Sequence, residues 1–182
     1  FIMGIDIRFT DHLAQRMKDK VILETCTGGG FSTISLAKHG KHVFSFEINE
    51  ERLEFARKNI AVAGLAQKVT FINDDIMSYD LNQIDQPIDG AFLDPDWAVK
   101  GENHEFKFHN SNTEPKSDVL LNHIFKITKN VTLIQPPIIE KAEFNNLPSH
   151  ELEKFYINDR HELIVLHFGS LAKASVETEF RV

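Results

Sequence analysis

Cysteine is almost absent: the 182 residues contain one, Cys26. A lone thiol excludes an internal disulfide and a zinc site built from several cysteines, and it favours a reducing, cytoplasmic setting. Long apolar runs are missing too. None approaches the roughly 20 residues that span a bilayer, so no membrane-spanning helix and no membrane partner are expected. Positive charge is in deficit, with 20 Lys and Arg against 27 Asp and Glu for a formal charge of −7. Broad, sequence-independent grip on nucleic acid needs a basic surface that displaces counterions, so a small or locally gripped substrate is expected instead. The nine histidines do not cluster at metal-ligand spacing, and no metal is expected. Repeats, low-complexity tracts and linker-like stretches are also missing, and the length suits one domain over residues 1–182. The chain opens at Phe1 rather than Met, so further residues upstream are expected.

What is present is an alternation of short apolar runs with amphipathic segments. Strands are expected at residues 21–24, 42–47, 69–73, 91–94, 131–135 and 163–168, with a last one at 177–182. The first five are short and apolar, as strands buried on both faces of a parallel sheet should be. Helices are expected at 32–39 with Gly40 as a stop, at 50–63 behind an Asn49 cap, and at 117–128. Leu53, Ala56, Ile60 and Ala63 would line one helical face, and Leu120, Leu121, Ile124 and Ile127 another. A further helix-like stretch covers 11–18, and residues 5–10 before it read either as a segment that covers the ligand site or, at Thr10, as the helix cap. The last two strand candidates are too close in sequence for a helical crossover, so they are expected to pair antiparallel at one edge.

The segment Glu24-Thr25-Cys26-Thr27-Gly28-Gly29-Gly30 follows the first strand and opens the first crossover helix. Glycines there permit a tight turn and bring bare backbone close to a ligand. Contiguous glycines behind an acid suit a cationic ligand, such as a sulfonium bearing an amino acid, better than the pyrophosphate of a nicotinamide cofactor. Two further acidic positions end the next strands. Glu47 is placed to accept the two hydroxyls of a ribose, and Asp74 and Asp75 share the turn after the third strand. The fourth strand ends in Asp94-Pro95-Asp96-Trp97, and loops at the carboxyl ends of such strands face the ligand crevice.

These residues together resemble class I, Rossmann-like S-adenosylmethionine-dependent methyltransferases, and most of all the RNA methylases of the trimethylguanosine synthase type. The likeness runs from Val21 to Trp97. It implies an α/β fold with a seven-stranded, mostly parallel sheet, helices on both faces and a C-terminal antiparallel hairpin. It implies that Glu24, Cys26, Gly28 and Gly30 lie against the methionine part of the cofactor. Glu47 would take the ribose, Asp75 or Asp74 the adenine amino group, and Ile76 or Ile48 would pack on the ring. Asp94, Pro95, Asp96 and Trp97 would form the catalytic loop of an N-methyltransferase, with an exocyclic amine of a nucleobase as substrate and guanine N2 in RNA as first choice. Asp94 and the Pro95 carbonyl would orient the amine, and Trp97 would stack on the base or else sit in the core.

The family pattern has a second proline where this chain has Asp96. That change leaves two alternatives open: a methyltransferase of a small metabolite or protein side chain, and a cofactor-binding subunit whose catalytic loop has decayed. Residues 98–115 follow without clear periodicity and carry Lys100, His104, Lys107 and His109 with Phe106 and Phe108 between them. They read either as a substrate lid or as a solvated loop. Gln135-Pro136-Pro137 ends the fifth strand and either shapes the substrate pocket or only terminates the strand. His161 and His167 read as core or edge positions.

Overall fold

The computed structural model describes residues 4–97, 107–173 and 177–182. Their contacts divide the chain into two compact units, residues 1–92 and 93–182.

The first unit starts with α1 (Ile7–Gln15), then alternates β1 (Val21–Thr25), α2 (Phe31–His39), β2 (His42–Phe46), α3 (Glu50–Val62), β3 (Val69–Ile72) and β4 (Gly90–Leu93), the chain passing into the second unit at Leu93. Strand order is β3-β2-β1-β4. β2 runs parallel to both β1 and β3, with Thr25 beside Phe46 and Phe46 beside Ile72. All five residues of β1 are buried, which explains an apolar run without alternation. β4 is registered on β1 by Asp89, whose carboxylate accepts the Val21 N–H at 2.8 Å while its own N–H goes to the Val21 carbonyl at 2.9 Å.

Helix caps follow side-chain chemistry. Asn49 caps α3 by accepting the Arg52 N–H at 2.9 Å, and Leu53, Ala56 and Ile60 turn inward, whereas Ala63 ends the helix exposed. α1 begins at Ile7 rather than at residue 11, because Asp6 accepts the Arg8 N–H and serves as its cap. Thr10 lies inside that helix and donates to the Ile7 carbonyl at 3.1 Å. Gly40 ends α2 for lack of room rather than for its backbone angle: a Cβ there would stand 2.6 Å from Ile22 Cδ1.

The second unit contains α4 (Ser117–Ile124), β5 (Val131–Gln135), β6 (His150–Ile157), β7 (Arg160–Phe168) and β8 (Glu177–Arg181). Its strand order is β5-β7-β6-β8, with β7 antiparallel to both β5 and β6 and β8 parallel to β6. The α/β class with its C-terminal hairpin is as the sequence implied, but the described residues form eight strands rather than seven. The extra one is β6. It, not the last strand, is the hairpin partner of β7, and β8 adds beside β6 in parallel. Asn158 and Asp159 make the two-residue turn, both with positive φ, as the right-handed strand twist favours. α4 stops at Ile124, so Ile127 lies beyond it and is exposed.

Buried acids explain why β6 did not read as a strand. Glu151 accepts the Lys173 N–H at 2.6 Å and the Thr178 hydroxyl at 3.0 Å. Glu153 meets His167 Nε2 at 3.0 Å, and His167 Nδ1 meets Thr132 Oγ1 at 3.0 Å. One imidazole with no exposed surface thereby links β5, β6 and β7. His161 lies in β7, half-buried, with its ring stacked on Tyr156. No helix among the described residues is long and apolar enough to cross a membrane.

Candidate functional site

In the first unit the glycine turn is built from both sides. Cys26, Gly28 and Gly30 all have positive φ, at 59°, 54° and 78°. For Cys26 that conformation is uncommon and locally strained, a feature that collects at ligand-binding turns. Gly30 is required twice over, since a Cβ would also meet Ala56 Cβ of α3 at 3.0 Å. Asn59, on the same helix, donates to the Gly29 carbonyl at 2.8 Å.

Glu24 has no exposed surface. Its carboxylate accepts hydrogen bonds from the hydroxyls of Ser32 at 2.7 Å, Thr33 at 2.6 Å and Ser45 at 2.6 Å. Burial pushes this carboxyl above its ordinary value of 4.5; the three hydroxyls oppose the rise and the charge of Glu47 adds to it. Thr27 joins the group, 2.5 Å from Ser45 and 2.9 Å from the Phe46 carbonyl. Glu24 therefore braces the turn from beneath. Glu47 meets the turn directly, one oxygen accepting the Gly28 N–H at 2.8 Å and the other the Asn49 N–H at 2.9 Å.

The turn after β3 has a different character. Asp74 is exposed and accepts the Asp75 N–H at 2.7 Å; Asp75 is half-buried and accepts the Met77 N–H at 2.9 Å. Ile76 is buried, whereas Ile48, next to Glu47, is 69% exposed. Asn73 ties this turn to the end of β2 through the Glu47 and Ile48 carbonyls, at 2.8 and 3.3 Å. The structure thus brings together Glu24, Gly28 and Glu47, and it links the Asp74–Ile76 turn to them through Asn73.

Two acceptors at this turn retain capacity for a ligand that donates hydrogen bonds. Each Glu47 oxygen has accepted one bond from the backbone and retains acceptor capacity. Among the described residues no group hydrogen-bonds Thr25 Oγ1, which is buried at the end of β1, and a buried hydroxyl needs a partner.

In the second unit Asp94 is half-buried, Pro95 buried, Asp96 exposed and Trp97 half-buried. Asp96 makes two backbone bonds with Glu114, each 2.9 Å. Among the described residues the buried Trp97 indole nitrogen has no hydrogen-bond partner. Lys100, His104 and Phe106 lie outside the described residues. Within residues 107–115, Phe108, Ser111 and Thr113 are buried while Lys107, His109, Asn110, Asn112 and Glu114 are exposed; Phe108 lies edge-on to Phe144, and Glu143 accepts the Phe108 and His109 N–H groups at 3.2 and 3.4 Å. Gln135 is fully buried and donates to Ser117 at 2.9 Å and to the Ile134 carbonyl at 2.6 Å. Among the described residues no three His, Cys, Asp or Glu side chains are grouped so as to hold a metal.

Sequence reasoning missed Ser32, Thr33, Ser45 and Asn59. The signal for Ser45 was there: it is a small polar residue inside an otherwise apolar strand, and buried hydroxyls need partners.

Comparison with solved structures shows the fold. The chain superposes on M. capricolum TrmK, solved with S-adenosyl-homocysteine, with a TM-score of 0.62 over 94% of this chain and 70% of that one, at 13% identity. An rRNA methylase from Streptococcus thermophilus matches with a TM-score of 0.56, 92% and 99% coverage and 16% identity. The fold is that of class I S-adenosylmethionine-dependent methyltransferases.

The family follows from the sequence itself. Residues 19–156 match the model of the RNA cap guanine-N2 methyltransferase family, and the chain belongs to it. A curated relative, the ribosomal RNA small subunit methyltransferase A of Caldanaerobacter subterraneus, is 39% identical over 69 residues, 38% of this chain. The match spans about a quarter of that relative's length (25%).

Proposed function

We propose that this chain is an S-adenosylmethionine-dependent N-methyltransferase of an exocyclic nucleobase amine in RNA, with guanine N2 as its target atom. The observation that carries the reading is the family match, because residues 19–156 include both the glycine turn and Asp94–Trp97. The relative named for ribosomal RNA methylation supports RNA as the substrate.

S-adenosylmethionine supplies a methyl group on a positively charged sulfur. The turn from Cys26 to Gly30 offers it bare backbone, and Glu24 keeps that turn in shape. The Glu47 carboxylate accepts the ribose hydroxyls. Ile48 gives the adenine an exposed apolar face, a better candidate than Ile76, whose side chain is already buried. Asp75 takes the adenine amino group, with exposed Asp74 as the alternative. Asp94 and the Pro95 carbonyl accept the N–H bonds of the substrate amine, direct its lone pair and stabilise the positive charge that develops on nitrogen. Trp97 stacks on the base, worth about 1–3 kcal/mol.

The net charge of −7 favours a second substrate class, a small metabolite or protein side chain. Salt separates the two readings, because phosphate contacts release counterions and make RNA binding fall steeply with ionic strength. Labelled methyl transfer to a capped RNA oligonucleotide, followed by nucleoside analysis, tests the proposal. N2-methylguanosine supports it, label on another base removes the guanine assignment, and no label on any RNA removes RNA as substrate. Asp94→Ala is expected to lower kcat by about 100-fold.

A further inference from the structure

At position 96 the backbone does something that proline cannot. Asp96 donates its N–H to the Glu114 carbonyl and accepts the Glu114 N–H, both at 2.9 Å. A reciprocal pair of this kind fixes both the separation and the mutual rotation of two backbones. Proline has no N–H, so a second proline would delete one of the two bonds.

Glu114 belongs to a segment that is anchored in turn. Ser111, Thr113 and Ser117 are buried, and their hydroxyls form a chain with one allowed direction. Thr113 Oγ1 donates to the Pro115 carbonyl at 2.8 Å. Its single hydrogen is then spent, so it accepts from Ser111 at 2.6 Å and from Ser117 at 2.9 Å. Ser117 therefore accepts at its other contact, from Gln135 Nε2 at 2.9 Å. The other amide hydrogen of Gln135 goes to the Ile134 carbonyl at 2.6 Å, which fixes the amide orientation independently. A directed chain runs from the end of β5 to the residue beside Glu114.

We propose that residues 111–117 are the positioning segment for the Asp94–Trp97 loop, and that Asp96 acts through its backbone N–H rather than through its carboxylate. The bridge to Glu114 supplies the restraint that a second proline ring would otherwise give. Ser117 and Gln135 are positioning residues, acting through Glu114. The effect on turnover rests on the methyltransferase reading; the bridge itself does not.

Trp97 is the only tryptophan, so its fluorescence reports on this loop in the intact chain without any substrate. Asp96→Pro removes the N–H, Asp96→Ala keeps it, and Ser117→Ala cuts the hydroxyl chain at the far end, with Ser117→Thr as the conservative rescue. Asp96→Pro and Ser117→Ala are expected to raise acrylamide quenching of Trp97 and to lower kcat on a capped RNA oligonucleotide about tenfold, with the KM for cofactor within about twofold. Asp96→Ala should cost less than about threefold and Ser117→Thr should restore most of the loss. Quenching that is equal in wild type, Asp96→Pro and Ser117→Ala would overturn the bridge, whatever the activity. A loss in Asp96→Ala as large as in Asp96→Pro would return the role to the carboxylate. A quenching difference in a chain that methylates no RNA would keep the bridge and overturn the functional reading.

Discussion

The Glu47 carboxylate holds the glycine turn: one oxygen accepts the Gly28 N–H at 2.8 Å while the other accepts the Asn49 N–H at 2.9 Å. A single side chain at the end of β2 thus links the turn after β1 to the cap of α3. Glu47→Gln keeps the shape but leaves one acceptor where there were two. S-adenosylmethionine affinity is expected to fall about tenfold, since a bond to a charged group is worth about 1.5–3 kcal/mol. Equilibrium dialysis with labelled cofactor checks it.

Gly30 and Gly64 make a matched pair. Both have positive φ, but a Cβ at Gly30 meets Ala56 at 3.0 Å while one at Gly64 meets nothing within 4 Å. Gly64→Ala carries only the left-handed backbone cost, about 1–2 kcal/mol. Gly30→Ala adds overpacking of about 1–3 kcal/mol and should also weaken cofactor binding. Urea denaturation of the two variants gives the comparison.

Glu24 makes stability depend on pH in an unusual direction. Its carboxyl titrates higher in the folded chain than its ordinary value of 4.5, chiefly because it is buried. The folded state therefore holds a proton that the unfolded state has released, and this contribution to stability falls as pH rises above about 4.5. Glu24→Gln lacks that contribution, and its amide oxygen can still accept two of the three hydroxyls. The Tm difference, Glu24→Gln minus wild type, should grow as pH rises from 4.5 towards neutrality. A flat difference would count against the buried ionisation.

Asn59 fastens the turn to α3 through the Gly29 carbonyl at 2.8 Å. Asn59→Ala should weaken cofactor binding by about two- to tenfold, the range of one neutral hydrogen bond. Binding isotherms of the two proteins decide it.

The first unit was more legible in the sequence than the second. Its strands are buried on both faces, so apolar runs marked β1 and β2 to within a residue or two, and Asn49 marked the start of α3. β6 was opaque because Glu151 and Glu153 read as surface residues, whereas both are buried on backbone, hydroxyl or imidazole partners. The dipeptide Asn158-Asp159, residue types that tolerate positive φ, was the available signal for a hairpin there. At the candidate site, acids at strand ends were visible from spacing alone. The inward turn of Glu24 was not, since only the folded chain shows that Ser32, Thr33 and Ser45 converge on it. Nor was the use made of the Asp96 N–H, because backbone pairing between distant segments leaves no mark in local composition.

Calorimetric titration of the wild-type chain with S-adenosylmethionine and, separately, with NAD tests the central claim most directly. Selective binding of S-adenosylmethionine, weakened in Glu47→Ala, is the predicted result. Preference for NAD, or binding of S-adenosylmethionine that Glu47→Ala leaves unchanged, would contradict the site assigned here.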